Sequence, residues 1–114
     1  MERIELTILR NLIFNEEYSR QVIPFIEPDY FEERKEKVIF EEITSFIVKY
    51  DSAITIEALN IEVENRTDLT DTELNEIREI NRSLDDSPVD FHWLTDTTEK
   101  WCRDRAIYLS LIHI

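Results

Sequence analysis

The sequence predicts an all-α protein, a compact bundle of about six helices that ends in a C-terminal helical hairpin. Three observations carry this. The 114 residues contain no glycine, where average usage would give about eight. Without glycine the tight primed turns of β-hairpins are disfavoured, and helices joined by Asn, Asp, Ser and Pro turns are favoured. Apolar residues recur at helical spacing along the chain, and side chains suited to capping stand in front of several of those runs.

The first helix is expected from Ile4 to Phe14, where Ile4, Ile8, Leu9, Leu12 and Ile13 fall on one face. Asn15 reads as the N-cap of a second, short helix running toward Pro24, with Glu16 and Glu17 in its first turn and Tyr18, Val22 and Ile23 as its apolar residues. Glu27 to Phe31 is a turn whose aromatic pair, Tyr30 and Phe31, is expected to plug the core. A long helix follows from about Glu32 to Tyr50, with a stripe of Ile39, Ile43, Phe46, Ile47 and Tyr50. Asp51 to Ile54 ends it. Thr55 then caps a fourth helix holding Ala58, Leu59, Ile61 and Val63.

Thr70 and Glu73 form a capping box, a specific helix start. The helix it opens carries Leu74, Ile77, Ile80 and Leu84, whose spacings make a narrow, coiled-coil-like seam. It stops at Asp85 and Asp86. Ser87 as N-cap and Pro88 at the first helical position are expected to start the last helix, on which Leu94, Trp101 and Tyr108 lie seven apart. The last two helices thus read as an antiparallel hairpin with a thin apolar seam. Leu74, Ile77, Ile80, Leu84, Leu94, Trp101 and Tyr108 are its candidate subunit-interface residues, because such a hairpin must lean on the domain or on another copy of itself.

Composition narrows the function. A chain without glycine has no Walker A loop, Rossmann fingerprint or kinase-type lid, since those loops need a backbone that approaches phosphate closely. The net charge is −13, from 13 Lys and Arg against 26 Asp and Glu. No basic stripe survives to grip nucleic-acid phosphates, so direct DNA binding is not expected. The charge fits a module that meets a basic protein partner, and equally an acidic surface kept for solubility. Hydrophobic residues make up 42% of the chain, enough for one core. Cys102 is the only cysteine, so no intrachain disulfide forms, which suits a reducing cytosol. The N-terminus from Met1 to Glu5 lacks a signal pattern, and no apolar run is long enough to span a membrane.

No constellation for catalysis stands out. His92 and His113 are the only histidines, and Cys102 lies ten residues from His92 without companion ligands, so no metal site is expected. Cys102 lacks an activating base and is read as buried filler. Asp85, Asp86 and Asp90 lack the alternation and central glycine of a calcium loop and suit capping instead. The pairs Glu16–Glu17 and Glu32–Glu33 are adjacent, so they do not face each other, and they read as solvated first-turn acids. Trp93 and Trp101 are each suited either to anchoring a subunit contact or to packing inside the domain. The final residues, Leu109 to Ile114, are oddly apolar and resemble the translation of a transposase end sequence used in building sequencing libraries. They are expected to be adapter read-through, with the native sequence stopping near Tyr108. A natural apolar helix end is the other reading.

Ordered motifs carry a family resemblance. The run from Asp86 to Asp90, then Trp93-Leu94, Thr98 to Lys100 and Arg105-Ala106, resembles the N-terminal domain of the DnaB-like hexameric replicative helicases of T-even-type bacteriophages. Upstream, Leu12 to Phe14, Asp29 to Glu32, Ala58 to Asn60 and Glu64-Asn65 fall in matching order, so the resemblance covers Ile4 to Tyr108. It implies that residues 1–108 are an all-helical collar domain, paired through a C-terminal helical hairpin within a dimer or hexameric ring, in the host-cell cytoplasm. It implies primase and a helicase loader as partners. It also implies a separate motor domain that holds ATP and magnesium and drives 5′→3′ unwinding, so no catalytic or cofactor-binding residue carries over to this chain. The competing reading is a free-standing acidic helical interaction module, such as a phage regulator or DNA mimic, which the net charge favours.

Overall fold

The computed structural model describes residues 3–112, and among them there are six α-helices and no strand. Met1, Glu2, His113 and Ile114 lie outside the described residues, and with them one of the two histidines and the end of the apolar tail.

Helix α1 (Ile4–Phe14) is the centre of the molecule. Its residues from Thr7 to Ile13 are all buried, so it is covered on every side rather than along the single face its sequence suggests. The polar members of that run make this tolerable because each has a partner: Asn11 donates Nδ2–H to the Thr7 carbonyl at 2.8 Å, and Arg10 donates to the Ser87 carbonyl at 2.7 Å. Asn15 closes α1 and opens α2 (Glu16–Val22). Its backbone N–H returns to the Asn11 carbonyl at 2.9 Å, and its side-chain oxygen accepts from Tyr18 N–H at 3.1 Å.

Two short 3₁₀ turns, Ile23–Phe25 and Pro28–Tyr30, carry the chain around the core. Phe31 is fully buried, 4.9 Å from the Trp101 ring and 5.3 Å from Phe40, while Tyr30 sits edge-on to Trp101 at 6.0 Å. The aromatic plug is thus Phe31, with Tyr30 half-buried above it.

Helix α3 (Arg34–Tyr50) buries Val38, Ile39, Phe40 and Ile43. Its stripe leaves the core toward the C-terminal end, where Tyr50 is 53% exposed and stacks on Phe46 at 4.6 Å. Asp51 ends the helix at φ 53°, ψ 39°, the left-handed position that glycine usually fills. Helix α4 (Ile56–Glu64) is capped by Thr55, whose hydroxyl accepts from Ala58 N–H at 3.1 Å, and it buries Leu59 and Val63. Helix α5 (Asp71–Ser83) opens with both halves of the capping box in place. Glu73 N–H donates to the Thr70 hydroxyl at 3.1 Å, and Thr70 N–H donates to the Glu73 carboxylate at 3.0 Å.

Helix α6 (Phe91–Ile112) begins three residues later than Pro88. Asp90 caps it by accepting from Trp93 N–H at 2.8 Å. Ser87 does not cap a helix, because its carbonyl is taken by Arg10 and its N–H by Asp85, which fixes the linker outside helical geometry. The expected C-terminal hairpin is also corrected. Helix α5 packs on α3 and α4, whereas α6 packs on α2 and the Pro28–Tyr30 turn, and α5 and α6 share no substantial packing. Their apolar seams face the common core, where Ile77 and Leu94 are both wholly buried, instead of facing each other.

Candidate docking surface on helix α6

Helix α6 is held at its base and free further along. Its buried residues are Leu94, Thr98 and Trp101. The Thr98 hydroxyl meets the Tyr18 hydroxyl of α2 at 2.6 Å inside the protein. One turn beyond Trp101, Arg105 donates Nε–H to the Tyr30 carbonyl at 2.7 Å and pairs with Glu32 at 3.0 Å. These contacts fix α6 against α2 and the aromatic turn as far as Arg105.

Past that point the helix continues without a break to Ile112, and its apolar side chains meet solvent. Ile107, Tyr108, Leu111 and Ile112 are each about half exposed or more. Tyr108 keeps one neighbour, the Arg105 guanidinium, 4.8 Å from its ring centre. The spacing of Leu94, Thr98, Trp101 and Arg105 places Tyr108 and Ile112 on a continuation of the core-facing stripe, with no layer beneath it. Exposed apolar surface of this kind marks a contact site.

The seven residues expected at a subunit interface separate in three dimensions. Ile77 and Leu94 are fully buried, and Leu84 and Trp101 nearly so, all within the chain's own core. Leu74 and Ile80 are half-buried against that core. Tyr108 alone of the seven is exposed. The structure brings the buried ones together around one core and leaves Tyr108 apart at the outer end of α6. Ile107 escapes the seven-residue spacing, but its i, i+4 relation to Leu111 was a readable signal. Of the two tryptophans, Trp101 is packed inside and Trp93 is 51% exposed.

Beside α6 an open groove of about 440 Å³ runs along α2 and the first 3₁₀ turn. Val22, Phe25, Tyr30, Thr98, Cys102 and Ala106 line it, with Gln21, Glu99 and Arg103 at its polar positions. Burial pushes the Cys102 thiol up to about 11, so at neutral pH it is a protonated, apolar part of that wall. Tyr30 is likewise raised above its ordinary value by burial and then by its negative neighbours. The sequence reading missed Phe25, which is 71% exposed. The signal was Pro24, which prevents the segment from continuing α2 and holds the ring at the surface.

Nothing in the arrangement resembles a catalytic set. Among the described residues no three His, Cys, Asp or Glu side chains stand together as a metal site. Asp85 and Asp90 are engaged with the backbone of the linker and of α6. No described helix is long and apolar enough to cross a membrane. The surface is suited to protein contact, with apolar side chains set in an acidic chain.

Comparison with known proteins agrees with the motif reading. No family model matches the chain. Over 101 residues it is 38% identical to the DnaB-like replicative helicase of Enterobacteria phage T4, covering 89% of this chain. The chain spans 21% of that relative's length. The resemblance of this chain to a phage DnaB-like replicative helicase is thereby shown across nearly nine-tenths of its residues.

Proposed function

We propose that the chain is the N-terminal assembly and docking domain of an ATP-dependent 5′→3′ replicative DNA helicase. The observation that carries this is the 38% identity to the T4 replicative helicase over nearly the whole chain. In this reading residues 1–108 form the collar, and the motor that binds ATP and magnesium belongs to another part of the parent protein. The parent works in the host cytoplasm as a dimer-built or hexameric ring, and its partners are primase and a helicase loader. The exposed turn of α6 from Ile107 onward supports the reading, because an assembly domain needs apolar surface that its own core does not cover. The chain itself contributes contacts rather than chemistry.

The test is to express the complete reading frame from its source and assay strand separation on a forked duplex. ATP-dependent unwinding, together with loss of ring assembly and of primase stimulation when residues 1–108 are deleted, is the expected result. A full-length product that neither assembles nor unwinds would overturn it. The net charge of −13 favours one other reading, a free-standing acidic module that occupies a basic protein surface. Tight, salt-sensitive binding to such a surface by a chain with no motor attached would establish that alternative.

A further inference from the structure

We infer that the groove between α2 and α6 is the docking site for a basic amphipathic helix of a partner protein. This deepens the reading of the chain as a docking module by naming the surface and the chemistry of its occupant. Three observations select that occupant.

The first is shape and polarity. The groove is open, holds about 440 Å³, and is walled by Val22, Phe25, Tyr30, Cys102 and Ala106. Cys102 is half-buried and protonated, and the Thr98 hydroxyl is already engaged by Tyr18, so the floor presents apolar surface rather than free polar groups. A small polar ligand would find little to bond there, whereas apolar knobs at helical spacing fit such a trough.

The second is Phe25. Its ring is 71% exposed at the rim, on a 3₁₀ turn that Pro24 stiffens. A large aromatic side chain held rigidly beside an apolar trough loses little conformational entropy on contact, which is the usual character of an interface anchor.

The third is charge. Glu99 lies on the groove wall, and its cationic neighbour Arg103 approaches only to 4.0 Å. The loop that bears Phe25 continues through Glu27 and Asp29, and the whole chain carries −13. A partner with lysine or arginine flanking its apolar stripe is attracted by this field, while an acidic helix is repelled. Among the described residues there is no strand to extend, so a partner cannot dock here by adding a strand to a sheet.

The test uses a fluorescein-labelled synthetic helix of leucine and lysine, about 18 residues long, with leucines at i, i+3, i+4 and i+7. Its fluorescence anisotropy is followed on titration with the 114-residue chain. A second peptide has the same composition with the leucine spacing scrambled. Phe25→Ala and Ala106→Trp both alter exposed positions, so neither disturbs the core. The expected result is salt-sensitive binding of the patterned peptide, weaker binding of the scrambled one, and a loss of about tenfold in each variant. Equal binding of both peptides, wild-type binding by both variants, or no binding at low salt would overturn the inference. A failed groove leaves the helicase reading intact. A reading frame without a motor would remove the helicase reading and leave the groove result standing.

Discussion

The hydroxyl of Tyr18 on α2 and that of Thr98 on α6 lie 2.6 Å apart in the interior, although 80 positions separate them in the chain. Burial drives the Tyr18 phenol well above its ordinary range, so it stays protonated and always has a hydrogen to share. This bond, with Leu94 beside it on the same helix face, fastens α6 to the body and sets where its outer turns project. Tyr18→Phe should therefore cost about 1–2 kcal/mol, because it strands a buried threonine hydroxyl. Adding Thr98→Val should recover part of that loss. Urea unfolding of the two single variants and the double variant measures it, and strict additivity would show that the pair is not coupled.

The buried and exposed apolar residues of α6 should respond differently to truncation. Leu94→Ala empties a fully buried site and should cost about 2–5 kcal/mol. Leu111→Ser acts at a side chain 64% exposed and should leave the unfolding midpoint of the monomer within about 0.5 kcal/mol of wild type. Thermal or urea denaturation at low protein concentration distinguishes the two. A large loss at Leu111 would mean that the outer turns already have a partner in solution.

Glu36 is a buried carboxyl on α3 clasped by Arg3, whose two terminal nitrogens reach its oxygens at 2.9 and 3.4 Å. Burial pushes the carboxyl up to about 7, against the pull of Arg3, with Glu33 and Glu5 adding to the rise. The native state then holds a proton that the unfolded chain has released, between about pH 4.5 and 7. The contribution of Glu36 to stability is fully present below that window and is lost as pH rises through it. Glu36→Gln removes the titration. The stability of the variant relative to wild type should rise by an amount on the order of 1–2 kcal/mol across the window. A difference that stays flat with pH would contradict the raised value.

Asp51 closes α3 in the left-handed region at φ 53° in a chain that has no glycine to place there. Asp51→Gly should raise stability by about 0.5–1 kcal/mol by removing the Cβ clash. A shift of the melting temperature upward checks this, and a downward shift would show that the aspartate side chain matters more than the backbone.

Local signals were legible in the sequence where one residue decides one event. Asn15, Thr55, Thr70 and Glu73 cap where their spacing says they should, because capping depends on a side chain and a backbone amide three residues away. Ser87 and Pro88 offered an equally good local start, but the winning factor was tertiary. Arg10, buried in α1, takes the Ser87 carbonyl, and Asp90 caps instead. The hairpin was misread for a related reason. A seven-residue apolar spacing such as Leu94, Trp101 and Tyr108 states that one face wants cover, and it looks the same whether a sister helix or the common core supplies it. Only the fold separates Leu94, which is covered, from Tyr108, which is 49% exposed. The groove was illegible because its walls come from α2, a 3₁₀ turn and α6, which are distant in sequence.

The central claim is that this chain is the docking part of a replicative helicase. The most direct measurement is to read the source DNA beyond codon 108 from a library made without a transposase. The account predicts that the frame continues through a linker into a strand followed by a G-x-x-x-x-G-K-[ST] loop, the phosphate-binding element that a glycine-free domain lacks. A stop codon close to position 114, preceded by the same apolar codons, would contradict it.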